Sequence, residues 1–297
     1  MKLAQLLLAG MVLGSIYGLI AMGFAIIYKA TKIVHFAHGA MLPLGAYLVY
    51  TFAVRWEQPW GVALVGAAAI CAALNVLMQR IFARRMLGRP LFAAIMITFG
   101  FEILLRAGMN LIWKGKERPI GDPWGADTVT LAGGVTTPVA SLWILGAAAV
   151  CMAAVFAFFR WSSLGVQMLG TASDQEAALM SGVPIQRTFA VAWAIAGVLA
   201  VVAGVAASLF PRTLGPELVM LGMRAFPAAI LGGLDSVVGA VVGGMAIGIV
   251  EVMVAGYLSE SAIFGANFSA VSGYIIMIIV LMVRPYGLFG RKEVARV

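Results

Sequence analysis

The stretch LLLAGMVLGSIYGLIAMGFAIIY, from Leu6 to Tyr28, holds no charged side chain. It is longer than the ~20 apolar residues an α-helix needs to cross bilayer hydrocarbon. A secretory signal core is only about 7–15 residues long and ends at a small-residue cleavage site. No clean A-x-A site follows Tyr28, so the stretch reads as a permanent span. The rest of the chain repeats the pattern, with apolar runs at about 38–54, 60–79, 91–112, 139–159, 188–209, 218–234, 237–258 and 267–283. The runs at 218–234 and 237–258 are split only around Gly232, Gly233 and Asp235, so one of them is short or re-entrant. The predicted fold is an all-α integral membrane protein, a bundle of eight or nine transmembrane helices.

Composition agrees. Of 297 residues, 63% are hydrophobic and 11% charged, where soluble domains run near 45–50% and 25%. Disorder is excluded by the same figures, and a disulfide scaffold by the presence of two cysteines, Cys71 and Cys151; both lie in apolar runs and read as reduced packing residues. The formal net charge of +8 would suggest nucleic acid in a soluble protein. Here it is read loop by loop, and no nucleic-acid partner is expected. Segments 29–35, 80–89, 160–187 and the tail from Arg284 carry twice the Lys and Arg of the opposite face. The positive-inside rule then puts the N-terminus outside and the C-terminus in the cytoplasm. No linker or low-complexity tract interrupts the pattern, so 1–297 reads as one domain, with Pro119, Asp122-Pro123 and Gly133-Gly134 marking turns in the longest external segment.

The cytoplasmic segment 160–187 is the most informative. Ser173 and Glu176 have capping-box spacing, Gly182 stands at a C′ position and Pro184 stops continuation. A short helix over about 174–181 is predicted. Ala177, Ala178, Leu179 and Met180 give it an apolar surface that either lies on the membrane or docks a soluble partner.

Inside the runs, Glu102 and Arg106 are spaced as a helical ion pair, against the alternative of lining a polar path. Glu251 has no partner near in sequence and is expected to face the bundle interior or its end, and Asp235 to cap the following helix. Gly10, Gly14 and Gly18, and the pairs Gly239/Gly243 and Gly244/Gly248, are spaced for close helix packing, within this chain or with a partner. His35 and His38, three apart, share a face if helical; two ligands do not make a metal site, and a hydrogen-bonding role at a helix entry is preferred. Gly39 and Pro43 suggest a bend, placing His38 near a candidate pathway. Trp56, Trp60, Trp113, Trp124, Trp143 and Trp161 fall near predicted span ends and fit interfacial anchors.

Four stretches in order along the chain resemble one family. Leu164-Gly165 through Asp174, with Ala177-Ala178 and Gly182-Val183, is similar to the cytoplasmic coupling loop of branched-chain amino acid ABC transporter permeases of the LivHM type. Gly14-Ser15-Ile16-Tyr17-Gly18-Leu19-Ile20-Ala21 and Phe36-Ala37-His38-Gly39 resemble the amino-terminal pattern of the LivH branch. Ala225-Phe226, Leu231-Gly232-Gly233-Leu234 and Gly239-Ala240 to Glu251 resemble its glycine-rich pattern, and Arg284-Pro285-Tyr286-Gly287-Leu288-Phe289-Gly290 its closing motif. Val166, Leu169, Gln175 and Leu179 depart from the family's basic coupling loop, and His35 stands where Asn is usual.

The resemblance implies a permease subunit of a binding-protein-dependent importer. It implies two cytoplasmic ATPase subunits carrying ATP and Mg, an extracytoplasmic solute-binding protein and a second homologous permease. On that reading Ser173, Asp174, Glu176, Ala177, Ala178 and Gly182 form the ATPase-coupling element, and substitution of Ala177 or Ala178 by Glu impairs coupling. The sequence has no G-x-x-x-x-G-K-[ST] phosphate loop, so no cofactor is expected in this chain. The alternatives are a urea or short-amide importer and a self-sufficient carrier or channel. A membrane enzyme is disfavoured because neither histidine has an evident Ser, Cys or acid companion.

Overall fold

The computed structural model describes residues 2–83, 91–121, 123–131, 134–209, 213–258 and 268–290. Basic residues Arg84, Arg85, Arg89, Arg212, Arg291, Lys292 and Arg296, together with the turn residues Asp122 and Gly133, lie outside the described residues.

The uncharged opening stretch forms α1 (Lys2–Thr31), followed by α2 (His38–Tyr50), α3 (Trp60–Met78) and α4 (Leu91–Trp113). Five-residue π turns continue α2 over Thr51–Arg55 and α3 over Gln79–Ala83. A hairpin of β1 (Thr128–Leu131) and β2 (Val135–Pro138) leads into α5 (Val139–Trp161). Then come α6 (Ser163–Ser173), α7 (Gln175–Met180), α8 (Ile185–Leu209), α9 (Leu218–Gly232), α10 (Val237–Leu258) and α11 (Phe268–Val283). The structure is thus an α-helical membrane bundle, with the hairpin as its named β element among the described residues. Among the described residues, six helices are long and apolar enough to cross a membrane: α1, α3, α4, α5, α8 and α10. Helices α9 and α11 are shorter apolar helices, and α2 has 13 residues.

Helix α1 is apolar all round, the pattern of a helix enclosed on every side. Its apolar window is 89% buried, against 17% for α5. Helices α10, α8, α9 and α5 surround it, while α3, α4 and α5 turn Val65, Leu104, Leu111 and Val150 outward, a surface suited to lipid.

Lipid tails give helices no hydrophobic reason to associate, so contact depends on how closely backbones approach. The small residues decide this at the α1–α10 crossing. A Cβ on Gly14 would stand 2.8 Å from the Met245 Cα, and one on Gly10 2.8 Å from the Ile249 Cα. One on Gly244 would run into the Gly18 backbone, and one on Gly248 into that of Gly14. Gly239 and Gly243 meet α9 instead, at Gly232 and Ala228. Both glycine stripes are filled by this chain's own helices and do not stand free for a second permease.

Contacts at the ends of α1 sort the bundle into two poles. Lys2 lies over Tyr257 at the far end of α10. At the other pole Lys29 lies over Phe159 near the end of α5, and Lys32 pairs with Asp235 at 2.7 Å. Asp235 therefore does not cap α10: Ser236 does, accepting the Gly239 N–H at 3.0 Å. At this pole the closing segment folds back over the end of α9, where Leu288 and Phe289 N–H groups donate to the Leu231 and Gly232 carbonyls at 2.8 and 3.1 Å. Gly233 turns with φ +97°, and a side chain there would strike the Gly290 backbone. The tryptophans do not all sit at interfaces. Trp60, Trp124 and Trp143 cluster near the hairpin, but Trp113 is buried, stacked on Tyr47 and donating to Thr51 Oγ1 at 3.0 Å.

Candidate functional site

Only Ser162 separates α5 from α6, and Gly165 allows the sharp reversal, since a Cβ there would stand 2.8 Å from the Phe159 Cα. Helix α6 runs to Ser173, whose hydroxyl bonds back to the Leu169 carbonyl at 3.1 Å. This corrects the expected capping box. Ser173 already belongs to a helix, and the cap of α7 is Asp174, in extended conformation at φ −157°, whose carboxylate accepts the Ala177 N–H at 3.0 Å. Glu176 sits exposed in the first turn, where a negative charge suits the helix dipole.

The other end closes as a Schellman motif. Gly182 adopts φ +78° and donates to the Leu179 carbonyl at 2.9 Å, and Val183 donates to that of Ala178 at 3.0 Å. A six-residue helix has no stability of its own in water. It persists because both ends are capped and Ala178 packs inward, with α8 alongside. Ala177, Leu179 and Met180 point away from the bundle, and Met180 is 93% exposed. Ala177 and Ala178, equivalent on the sequence, therefore differ: only the former is presented.

A second polar feature lies within the bundle. Tyr17 of α1 donates to Glu251 Oε2 at 2.7 Å, and Arg224 of α9 approaches Glu251 Oε1 at 3.8 Å. Glu251 is buried as expected, and its partners come from two other helices. Arg224 is the residue that sequence reasoning missed; its only signal was a charge inside an apolar run. Removing the hydroxyl should cost about 0.6–2 kcal/mol, the worth of a hydrogen bond between membrane helices. Tyr17→Phe is accordingly expected to lower the thermal midpoint of the detergent-solubilised protein without changing its helix content by circular dichroism.

The profile of the family described as "Branched-chain amino acid transport system / permease component" matches residues 6–281. The chain belongs to this permease family. Its relatives include the high-affinity branched-chain amino acid transport system permease protein LivH of Escherichia coli K12, 29% identical over 99% of this chain and 97% of that one. BraD of Pseudomonas aeruginosa, named likewise as a high-affinity branched-chain amino acid transport system permease protein, is 28% identical over the same shares. Among solved structures, PsaBC from Streptococcus pneumoniae in complex with Fab aligns with 96% of this chain and 91% of that chain, at a TM-score of 0.47 and 14% identity. As a permease of this family the protein is a multi-pass membrane component of a transport system and not a catalytic enzyme.

The permease does not gather its remaining polar residues around α7. Glu102 and Arg106 bond to each other along α4, with Glu102 buried and Arg106 half-exposed. His35 and His38 do not share a helix face, because α2 starts only at His38. The His35 ring lies 4.3 Å from that of Trp193 in α8, whereas His38 stands against Gly23 in α1 and edge-on to Phe24. The Asn75 side chain faces the His35 ring, and the Ile20 backbone faces that of His38. Pro43 lies inside α2. Cys71 is buried, and both cysteines are free thiols.

Proposed function

We propose that this permease is the transmembrane subunit of an ATP-driven, binding-protein-dependent importer of branched-chain amino acids. It is read as one domain over 1–297 in the inner membrane, with its N-terminus outside. Its partners would be two cytoplasmic ATPase subunits bearing ATP and Mg, a second homologous permease and an extracytoplasmic solute-binding protein. Family membership supports the importer reading, and the names of the LivH and BraD relatives favour branched-chain amino acids over urea or short amides.

The observation that carries the reading is the presentation of α7. A doubly capped helix offers Ala177, Leu179 and Met180 at the pole of the bundle that also carries Lys29 and Lys32. Such a helix is a firm contact for a soluble subunit and a lever on the helices that flank it. A push on α7 reaches α8 directly, and α8 packs on α1, α2 and α3. Closure of the ATPases would thus shift the bundle as packed units, the usual form of such transitions.

Co-purification with the ATPase subunits, followed by reconstitution with the loaded binding protein, tests this. Leucine-stimulated ATP hydrolysis coupled to leucine uptake is the expected result. Leucine uptake by the permease alone in ATP-free liposomes would overturn it in favour of a self-sufficient carrier.

A further inference from the structure

At the pole that carries α7, a cavity of about 490 Å³ opens between the end of α3 and the start of α8. Gln79, Arg80, Gln186, Arg187 and Ala190 line it. Two arginines thus line one space, with no acid beside them among the described residues. Gln79 is 1% exposed, and its amide nitrogen has no hydrogen-bond partner among the described residues. Gln79 also opens the π turn that ends α3, a local distortion common at functional positions. The other wall is the first turn of α8, which contains no acid to offset the positive end of its dipole.

Two delocalised cations and a helix start on the wall of one cavity together describe a receptor for a phosphate group. Basic pockets between membrane helices take lipid headgroups, and this one continues in a suitable direction. Val198 lies eleven residues beyond Arg187 on α8, three turns on and nearly the same face. There it lines an apolar groove of about 240 Å³ with Cys151, Val155 and Phe158 of α5. The separation is ~16 Å along the helix axis, within the reach of an acyl chain.

We infer that this cavity binds the phosphate of an anionic membrane lipid, with an acyl chain running along α8 toward the α5–α8 groove. The occupant would bridge α3 and α8 beside the coupling helix.

The full-length permease in phosphatidylcholine nanodiscs with increasing phosphatidylglycerol gives the test, read as lipid retained in native mass spectra and as the thermal midpoint. Phosphatidylglycerol is expected to bind the wild-type protein and raise its midpoint. Each arginine near an anionic headgroup contributes about fivefold in affinity, so Arg80→Gln with Arg187→Gln should lose roughly 25-fold. Gln186→Glu, an exposed change that puts a carboxylate on the wall, should exclude the lipid without affecting folding. Arg284→Gln, a basic residue elsewhere on the same pole, should change nothing. Equal stabilisation by sodium phosphate in phosphatidylcholine discs would support the phosphate site but assign it to a free anion. Retained binding in the double variant, or an equal loss in Arg284→Gln, would overturn the inference. So would a double variant that loses ATPase-subunit binding but keeps its lipid, since the cavity would then be a protein contact.

Discussion

Replacing Gly244 with leucine is expected to leave almost no monodisperse protein after detergent extraction. The atoms that a new side chain would meet are the Gly18 nitrogen and Cα, on the most enclosed helix of the bundle. Backbone cannot rotate out of the way as a side-chain tip can. Overpacking a core commonly costs about 1–3 kcal/mol when side chains can yield, and here a helix would have to move. Separating α1 from α10 would also break the Tyr17–Glu251 bond, leaving a carboxylate buried without its donor. Gly146→Leu is the matched control, because nothing lies within 4 Å of the position its Cβ would take. It should extract normally on fluorescence-detected size exclusion, whereas equal behaviour of the two variants would mean that the α1–α10 approach is looser than described.

The second large effect is expected at the presented tip of α7. Ala177→Glu or Met180→Asp should reduce leucine-stimulated ATP hydrolysis and uptake at least about tenfold, the equivalent of ~1.4 kcal/mol of lost contact. The amount of folded permease should stay the same, since both side chains point outward. Ala178→Glu is a different experiment. Ala178 is buried, so a carboxylate there would lift the helix from its seat and lower stability together with coupling. Unchanged ATPase activity in the Met180→Asp complex would remove α7 from the coupling pathway.

Much of the architecture was legible because membrane helices announce themselves by length and absence of charge. The run at 237–258 coincides with Val237–Leu258, and those at 91–112 and 139–159 fall within two residues of Leu91–Trp113 and Val139–Trp161. Helix α6 was not legible. Its two glycines and several polar residues give it little apolar periodicity, and it is held by the close turn at Gly165. That omission produced the misplaced cap, because a serine hydroxyl ending one helix resembles one starting the next. Arg224 was passed over for a related reason. Its partner Glu251 sits on the adjacent helix, and a search for charges three or four residues apart cannot reach it. Trp113 shows the limit of position along a span, since a tryptophan near a helix end still turns inward when Tyr47 offers its face.

The strap formed by Leu288 and Phe289 has a consequence for assembly. Helix α9 has 15 residues, ~22 Å of rise, and cannot reach both surfaces of ~30 Å of hydrocarbon. Its last carbonyls end inside protein, and two of them are satisfied by amides from nearly sixty positions further along. During synthesis those amides do not yet exist when α9 leaves the ribosome. The nascent chain must shelter that frayed end until residues 288 and 289 have been made, so the final seating of α9 waits on a segment synthesised well after it.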